Sequence, residues 1–161
     1  MQIKIFIQQF IKVPFMSFEQ LTLKNQLCHR LYVASNSIVR AYREPLEKLN
    51  LTYPQYVVMM ALWEKDKITI AELVNATAID GSALTQILKK MTDKKLLRVI
   101  KDEIDKRKRF VQLTNNGQRL KSDAAEIPKA IRCKFNSIDI NQAQLLMQTL
   151  DLVINDLNEP K

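Results

Sequence analysis

The hydrophobic period of this chain changes after Lys95, and that change restricts the fold more than any other feature of the sequence. Before it the spacing is helical. Leu27, Cys28, Leu31, Tyr32, Ser35, Ile38, Val39 and Tyr42 mark a long helix from about Phe18 to Glu44, which Pro45 helps to stop. Thr52-Tyr53-Pro54 is a start signal for a second helix through Tyr56, Val57, Met60, Ala61 and Trp63, because proline is tolerated in a first helical turn. A third, short helix fits Ile70 to Thr77. Asp80 and Ser82 are candidate caps for a fourth, where Leu84, Ile87, Leu88 and Met91 form an i, i+3, i+4, i+7 stripe. Its other face carries Ser82, Thr85, Gln86, Lys89, Lys90 and Asp93.

Beyond Lys95, Leu96 to Lys101 and Arg107 to Thr114 are rich in β-branched, aromatic and leucine residues and flank the charged turn Asp102-Glu103-Ile104-Asp105-Lys106. That pattern predicts a hairpin with a polar tip. Thr114-Asn115-Asn116-Gly117 then opens a helix to about Phe135, kinked at Pro128, and a last helix runs from Asp139 with Leu146, Leu150, Val153, Ile154 and Leu157 as its stripe. Only two glycines occur in the chain, and no internal repeat or low-complexity linker interrupts it.

At 161 residues and 47% hydrophobic content, the chain has the material for one compact domain with a core of its own. Two cysteines far apart in sequence, without a CxxC or Cys/His cluster, match neither a secreted disulfide framework nor a zinc site, so no metal or cofactor is expected and a reducing compartment is the default. No apolar run reaches the roughly 18 residues of a membrane span. Residues 1–17 hold Ile3, Ile5, Phe6, Ile7, Phe10 and Ile11, interrupted by Gln8, Gln9 and Lys12 and lacking a small-residue cleavage site. They read as an amphipathic N-terminal extension, and translation from Met1 or from Met16 is equally compatible with the sequence.

The net charge of +8 becomes informative once it is located. Between Gln86 and Lys121 there are 12 basic residues (Lys89, Lys90, Lys94, Lys95, Arg98, Lys101, Lys106, Arg107, Lys108, Arg109, Arg119 and Lys121) and 4 acids, and elsewhere the two signs cancel. A charge run is ordinarily a solvated face. Confinement of the whole excess to one segment points instead to a polyanionic partner.

Two short helices, the second with small polar and basic residues outward, followed by a basic hairpin, are the parts of a winged helix-turn-helix: a mainly α fold with a small β-hairpin wing. The major groove of duplex DNA admits an α-helix, where Ser82, Thr85, Gln86, Lys89 and Lys90 are candidates for base edges and phosphates. Arginine at a hairpin tip fits the narrow, electronegative minor groove, which makes Arg107 and Arg109 candidates there. Residues 51–114 are then the DNA-binding region, and 18–50 with 115–161 a helical region whose apolar stripes dimerise, in one compact domain overall.

The segments LTYPQYVVMMALWE, AIDGSALTQILKKM and DKRKRFVQLTNNG resemble the MarR family of winged-helix repressors, and NQLCHRLYVAS resembles its organic-hydroperoxide sensors, OhrR. The resemblance covers roughly Leu23 to Pro128. It implies a homodimer held by the N- and C-terminal helices, with Cys28 as the reactive cysteine of helix one. It also implies that Tyr42 and Tyr53 donate hydrogen bonds to the sulfur, that Asp105 and Arg107 form the Asp-x-Arg of the wing, and that Cys133 is the resolving cysteine, bridging to Cys28 of the other subunit. The chain departs from the pattern at Asp80-Gly81-Ser82-Ala83, at Gln86 in place of a common proline, at Lys94-Lys95 where a glycine usually ends the helix, and at Lys106.

Considered alone, a cysteine on an apolar helix face is ordinarily a small core residue, and reactivity requires the thiolate. His29 diverges from Cys28 by about 100° around the helix and points away from it. Tyr42, 14 residues on, lies about 21 Å along a straight helix, out of reach of its own Cys28 but within reach of an antiparallel neighbour's. The combined expectation is a cytoplasmic, non-enzymatic repressor that holds a pseudo-palindromic double-stranded operator and releases it when organic hydroperoxide oxidises Cys28. Two rivals remain: a MarR-type repressor released by a small aromatic ligand, and, from another class, a thiol peroxidase.

Overall fold

The computed structural model describes residues 18–158. The N-terminal extension expected at 1–17 and the choice between Met1 and Met16 lie outside the described residues. Two compact units are present, one ending at Tyr53 and the other running from Pro54.

In the first unit, Phe18–Leu21 and Leu23–Asn25 form two single 3₁₀ turns, and α1 follows at Leu27–Glu47. The helix therefore starts later than periodicity predicts. The Thr22 hydroxyl and the Asn25 amide both donate to the Glu19 carbonyl, at 2.7 and 2.8 Å, giving this backbone a local alternative to the helix. It also ends later, with Pro45 inside its last turn. Proline removes one N–H and hence one intrahelical bond, which a terminal turn tolerates better than a helix interior. Asn50, at φ 52°, reverses the chain, and the Leu51 N–H returns to the Leu46 carbonyl.

The helix α2 (Tyr53–Glu64) crosses the boundary and begins the second unit. Its Tyr56, Val58, Met59 and Leu62 are all buried and share one face of the helix, about 160° wide. A two-residue strand, β1 (Ile68–Thr69), leads into α3 (Ile70–Thr77). Thr69 and Glu72 form a reciprocal capping box there, which holds the Glu72 carboxyl down at about 2 through its bonds to Thr69 and Lys65. Next come α4 (Gly81–Asp93) and the hairpin β2 (Leu97–Lys101) and β3 (Arg109–Leu113). The sheet order is β1-β3-β2, antiparallel throughout, with Ile68 opposite Val111 and Leu97 opposite Leu113. Leu84, Leu88 and Met91 of α4 are buried as the stripe predicts, and α4 packs on β2.

The helix expected from Asn115 to Phe135 is divided into α5 (Asn115–Ala124) and α6 (Ile127–Arg132). Pro128 sits in the first turn of α6, where its missing N–H removes nothing the helix needs, and the backbone breaks ahead of it at Ala125 and Glu126. Finally α7 (Ile140–Asn158) starts where Asp139 and Gln142 cap each other. No residue of α7 is buried, and Leu146, Ile154 and Leu157 stand exposed. In α1 only Leu46 is buried.

Two positions show how closely the second unit is fitted. At the end of α4 the Lys95 N–H bonds the Thr92 carbonyl and the Leu96 N–H the Met91 carbonyl, a Schellman closure whose left-handed residue is Lys95 (φ 56°) instead of the usual glycine. At the start of α5 a Cβ on Gly117 would stand 2.1 Å from the Leu96 carbonyl oxygen, so the helix docks on this loop only because no side chain is there. Its own carbonyl accepts from the Trp63 indole at 2.9 Å. Lys95→Gly is expected to raise Tm by a few degrees, from relief of up to about 1 kcal/mol of net strain. Gly117→Ala is expected to destabilise by about 1–3 kcal/mol in denaturant titration.

Candidate functional site

The outward face of α4 is fixed at both ends. Asp80 caps the helix, its carboxylate accepting from the Ser82 hydroxyl and from the Ser82 and Ala83 N–H groups, bonds that hold it below the usual carboxylate range. The Thr85 hydroxyl donates to the Gly81 carbonyl at 2.8 Å. Of the residues singled out for DNA, Ser82 and Thr85 are thus exposed with their hydroxyl hydrogens already committed to the helix. The side chains of Gln86, Lys89 and Lys90 are exposed and form no hydrogen bond or ion pair with the described residues.

The loop between β2 and β3 spans residues 102–108, longer than the turn expected, so Arg107 belongs to the tip and Arg109 to the first position of β3. Two aspartates shape it. Asp102 accepts from the N–H groups of Ile104 (3.0 Å) and Asp105 (2.7 Å), and Asp105 accepts from the Arg107 N–H at 3.0 Å. Asp105, expected beside Arg107 in the wing motif, therefore holds the backbone of Arg107 and leaves its exposed guanidinium free of intrachain partners among the described residues. Lys101 stands directly opposite Arg109 across the hairpin, both exposed. Like charges in that register destabilise a sheet unless a polyanion neutralises them.

Cys28 lies in the first turn of α1, free and exposed, as is Cys133 just after α6. The core position that a lone apolar-face cysteine ordinarily occupies is not what Cys28 has in this chain. Tyr42 and Tyr53 do come together, ring centroids 5.0 Å apart and edge to face at 61°. Burial first, and the facing Tyr53 second, push the Tyr42 phenol above its ordinary pKa, so it stays a protonated donor at neutral pH. Because α1 runs unbroken from Leu27 to Glu47, Tyr42 remains about 21 Å along the helix from its own Cys28. Sequence reasoning missed Asp102 as the organiser of the wing and Gln55 as a buried polar residue. The first signal was available, as an Asp three residues before another polar turn residue.

A family model described as transcriptional regulator SarA/Rot matches residues 40–124. The organic hydroperoxide resistance transcriptional regulator of Bacillus subtilis is 35% identical over 135 residues, 83% of this chain and 92% of that protein. AbfR of Staphylococcus epidermidis, in its reduced form bound to DNA, superposes with a TM-score of 0.73 at 28% identity, over 88% of this chain and 98% of that one. Its disulfide-formed structure scores 0.58 at 29% identity, over 84% and 95%. BpsR of Bordetella bronchiseptica, whose DNA binding is regulated by 6-hydroxynicotinic acid, scores 0.73 at 26% identity, over 80% and 98%. The fold, the family model and these relatives define a winged-helix transcriptional regulator, and the family and relatives are regulators, not enzymes. The chain belongs to the MarR-type regulators of the organic-hydroperoxide, OhrR-like kind.

The wing carries its own pH signature. Asp102 is held below the usual carboxylate range, chiefly by the Asp105 N–H, with the Ile104 N–H, Lys108 and Lys67 adding to it against some desolvation. A carboxylate depressed in the folded state contributes fully above its unfolded pKa of about 3.9 and loses that contribution as pH falls through the folded value. The amide NMR shifts of Ile104 and Asp105 should therefore hold from neutrality down to about pH 4 and move together below it. A transition centred near pH 6 would assign the ordering of the tip to another group.

Proposed function

We propose that this protein is a cytoplasmic homodimeric repressor that holds a pseudo-palindromic DNA operator when reduced and releases it after organic hydroperoxide oxidises Cys28. The observation that carries the reading is the exposure of a free Cys28 on α1 in a regulator whose entire charge excess lies between Gln86 and Lys121, on α4, the wing and α5. In this reading α4 is the recognition helix in the major groove, with Ser82, Thr85, Gln86, Lys89 and Lys90 facing it, and the wings lie in flanking minor grooves. Arg107 enters the minor groove, Arg109 contacts its rim, and Asp105 keeps the tip in shape. Helices of residues 18–50 and 115–161 form the dimerisation region, which supplies a cover for the exposed stripes of α1 and α7.

Chemically, the Cys28 thiolate attacks the distal oxygen of the hydroperoxide; the O–O bond breaks, the alcohol leaves, and Cys28 becomes a sulfenic acid. The Cys133 thiol of the partner subunit then displaces that hydroxyl as water, forming a disulfide. Tyr42 and Tyr53 donate to the Cys28 sulfur of the antiparallel neighbour.

Gel shifts with reduced and hydroperoxide-treated protein test this directly. Arg107→Ala should weaken operator binding strongly, and Lys89→Ala should lower the slope of log affinity against log salt by about one if that lysine contacts phosphate. Cys28→Ser should bind DNA yet ignore hydroperoxide. Oxidised wild type should run as a covalent dimer on a non-reducing gel, and neither Cys28→Ser nor Cys133→Ser should. Loss of operator DNA by Cys28→Ser at the hydroperoxide dose that releases wild type would overturn the redox mechanism. The likeness to BpsR favours a second reading, in which reduced protein releases DNA on adding an aromatic acid.

A further inference from the structure

Gln55 is the one buried polar side chain among the described residues, at 3% exposure, and it sits in the first turn of α2. A buried amide needs partners, and its Oε1 accepts from the Lys94 ammonium at 3.0 Å. Lys94 is the cap residue at the end of α4, where its N–H bonds the Lys90 and Thr92 carbonyls and its positive charge suits the negative end of the helix. The side chain is half-buried, and desolvation, with Lys90 second, pushes the ammonium down from its ordinary pKa. The contact is thus a charge-assisted bond in a partly dry site, the kind whose geometry is held most tightly.

Tyr53, on the same turn of α2, is the residue that meets Tyr42. Residues i and i+2 of a helix diverge by about 200°, so this turn is gripped on one side through Tyr53 and on the other through Gln55. We infer that the Lys94–Gln55 bond is a positioning latch, which makes the orientation of the recognition helix α4 depend on the first turn of α2 and hence on the Tyr42–Tyr53 pair. Neither residue is among those assigned above to DNA or to the peroxide-reactive site. This inference rests on the redox reading above and adds the residues through which it reaches the DNA.

The test compares reduced and hydroperoxide-treated dimers by the ratio R of their operator Kd values, with loss of the Cys28 thiol followed separately. In Lys94→Met and Gln55→Leu the thiol should oxidise at the wild-type rate while R falls by about fivefold or more, a typical size for a lost coupling. Gln55→Glu and Lys94→Arg, which keep an acceptor and a donor, should retain R. The double variant Gln55→Leu/Lys94→Met should lose no more of R than either single change. A merely structural contact would lower Tm and shift both Kd values together, leaving R unchanged. R within twofold of wild type in the apolar variants overturns the latch; if Gln55→Leu does not fold, Lys94→Met, altering a side chain outside the core, decides alone. Wild type that keeps its operator when oxidised overturns the redox reading and the latch with it, whereas a responsive wild type with unaltered variants overturns only the latch.

Discussion

The reading head depends on the burial of Leu84, Leu88 and Met91, three residues of one helical stripe that are essentially removed from solvent. Each such side chain contributes on the order of 2 kcal/mol when fully buried. Together they fix the rotation of α4 about its axis, so the opposite face, with Gln86, Lys89 and Lys90, is outward by necessity. The caps then fix its ends. Asp80 ties down the first turn, and the Lys95 closure and the Lys94–Gln55 bond hold the last. A helix held in rotation and at both ends is suited to match a surface it does not itself deform.

Electrostatics work against the isolated fold and in favour of the bound one. Lys101 faces Arg109, and Lys106, Arg107 and Lys108 crowd the tip, while Asp102 and Asp105 accept their hydrogen bonds from the backbone. Asp102 and Asp105 therefore serve the shape of the wing, and in the proposed reading its bases serve recognition. Such a hairpin is less stable alone than a neutral one, and phosphates remove that cost. The same logic appears at α1 and α7, whose apolar stripes stay uncovered within one chain.

Where a segment was long and amphipathic, its pattern was legible in the residues. The helix at Ile70 to Thr77, the Asp80 cap and the buried stripe of α4 all follow from spacing and cap chemistry. The hairpin followed from the change of period, but its tip was misjudged, because the paired aspartates build a longer loop than composition reveals. The strand Ile68–Thr69 was missed since two residues cannot show a period. Pro45 and Pro128 were weighed as stops or kinks, whereas the outcome turned on whether the lost N–H lay in a first or last turn. A common role for Tyr42 and Tyr53 as donors to a cysteine sulfur was implied by the family resemblance, and their contact with each other is visible only in three dimensions. The bond from Lys94 to Gln55 joins residues far apart in sequence, and nothing local announces it.

The scarcity of glycine has a consequence for how this molecule can change shape. Gly81 and Gly117 both lie inside helices, and the left-handed turns are made by Asn50, Lys67, Ala78 and Lys95. Every connector from α1 to α7 is thus free of glycine, the residue that most readily swings between backbone conformations. Connectors of this kind make poor hinges. Motion has to be carried by whole helices sliding or rotating as rigid bodies on their packed faces, where small displacements are resisted until one arrangement gives way to another.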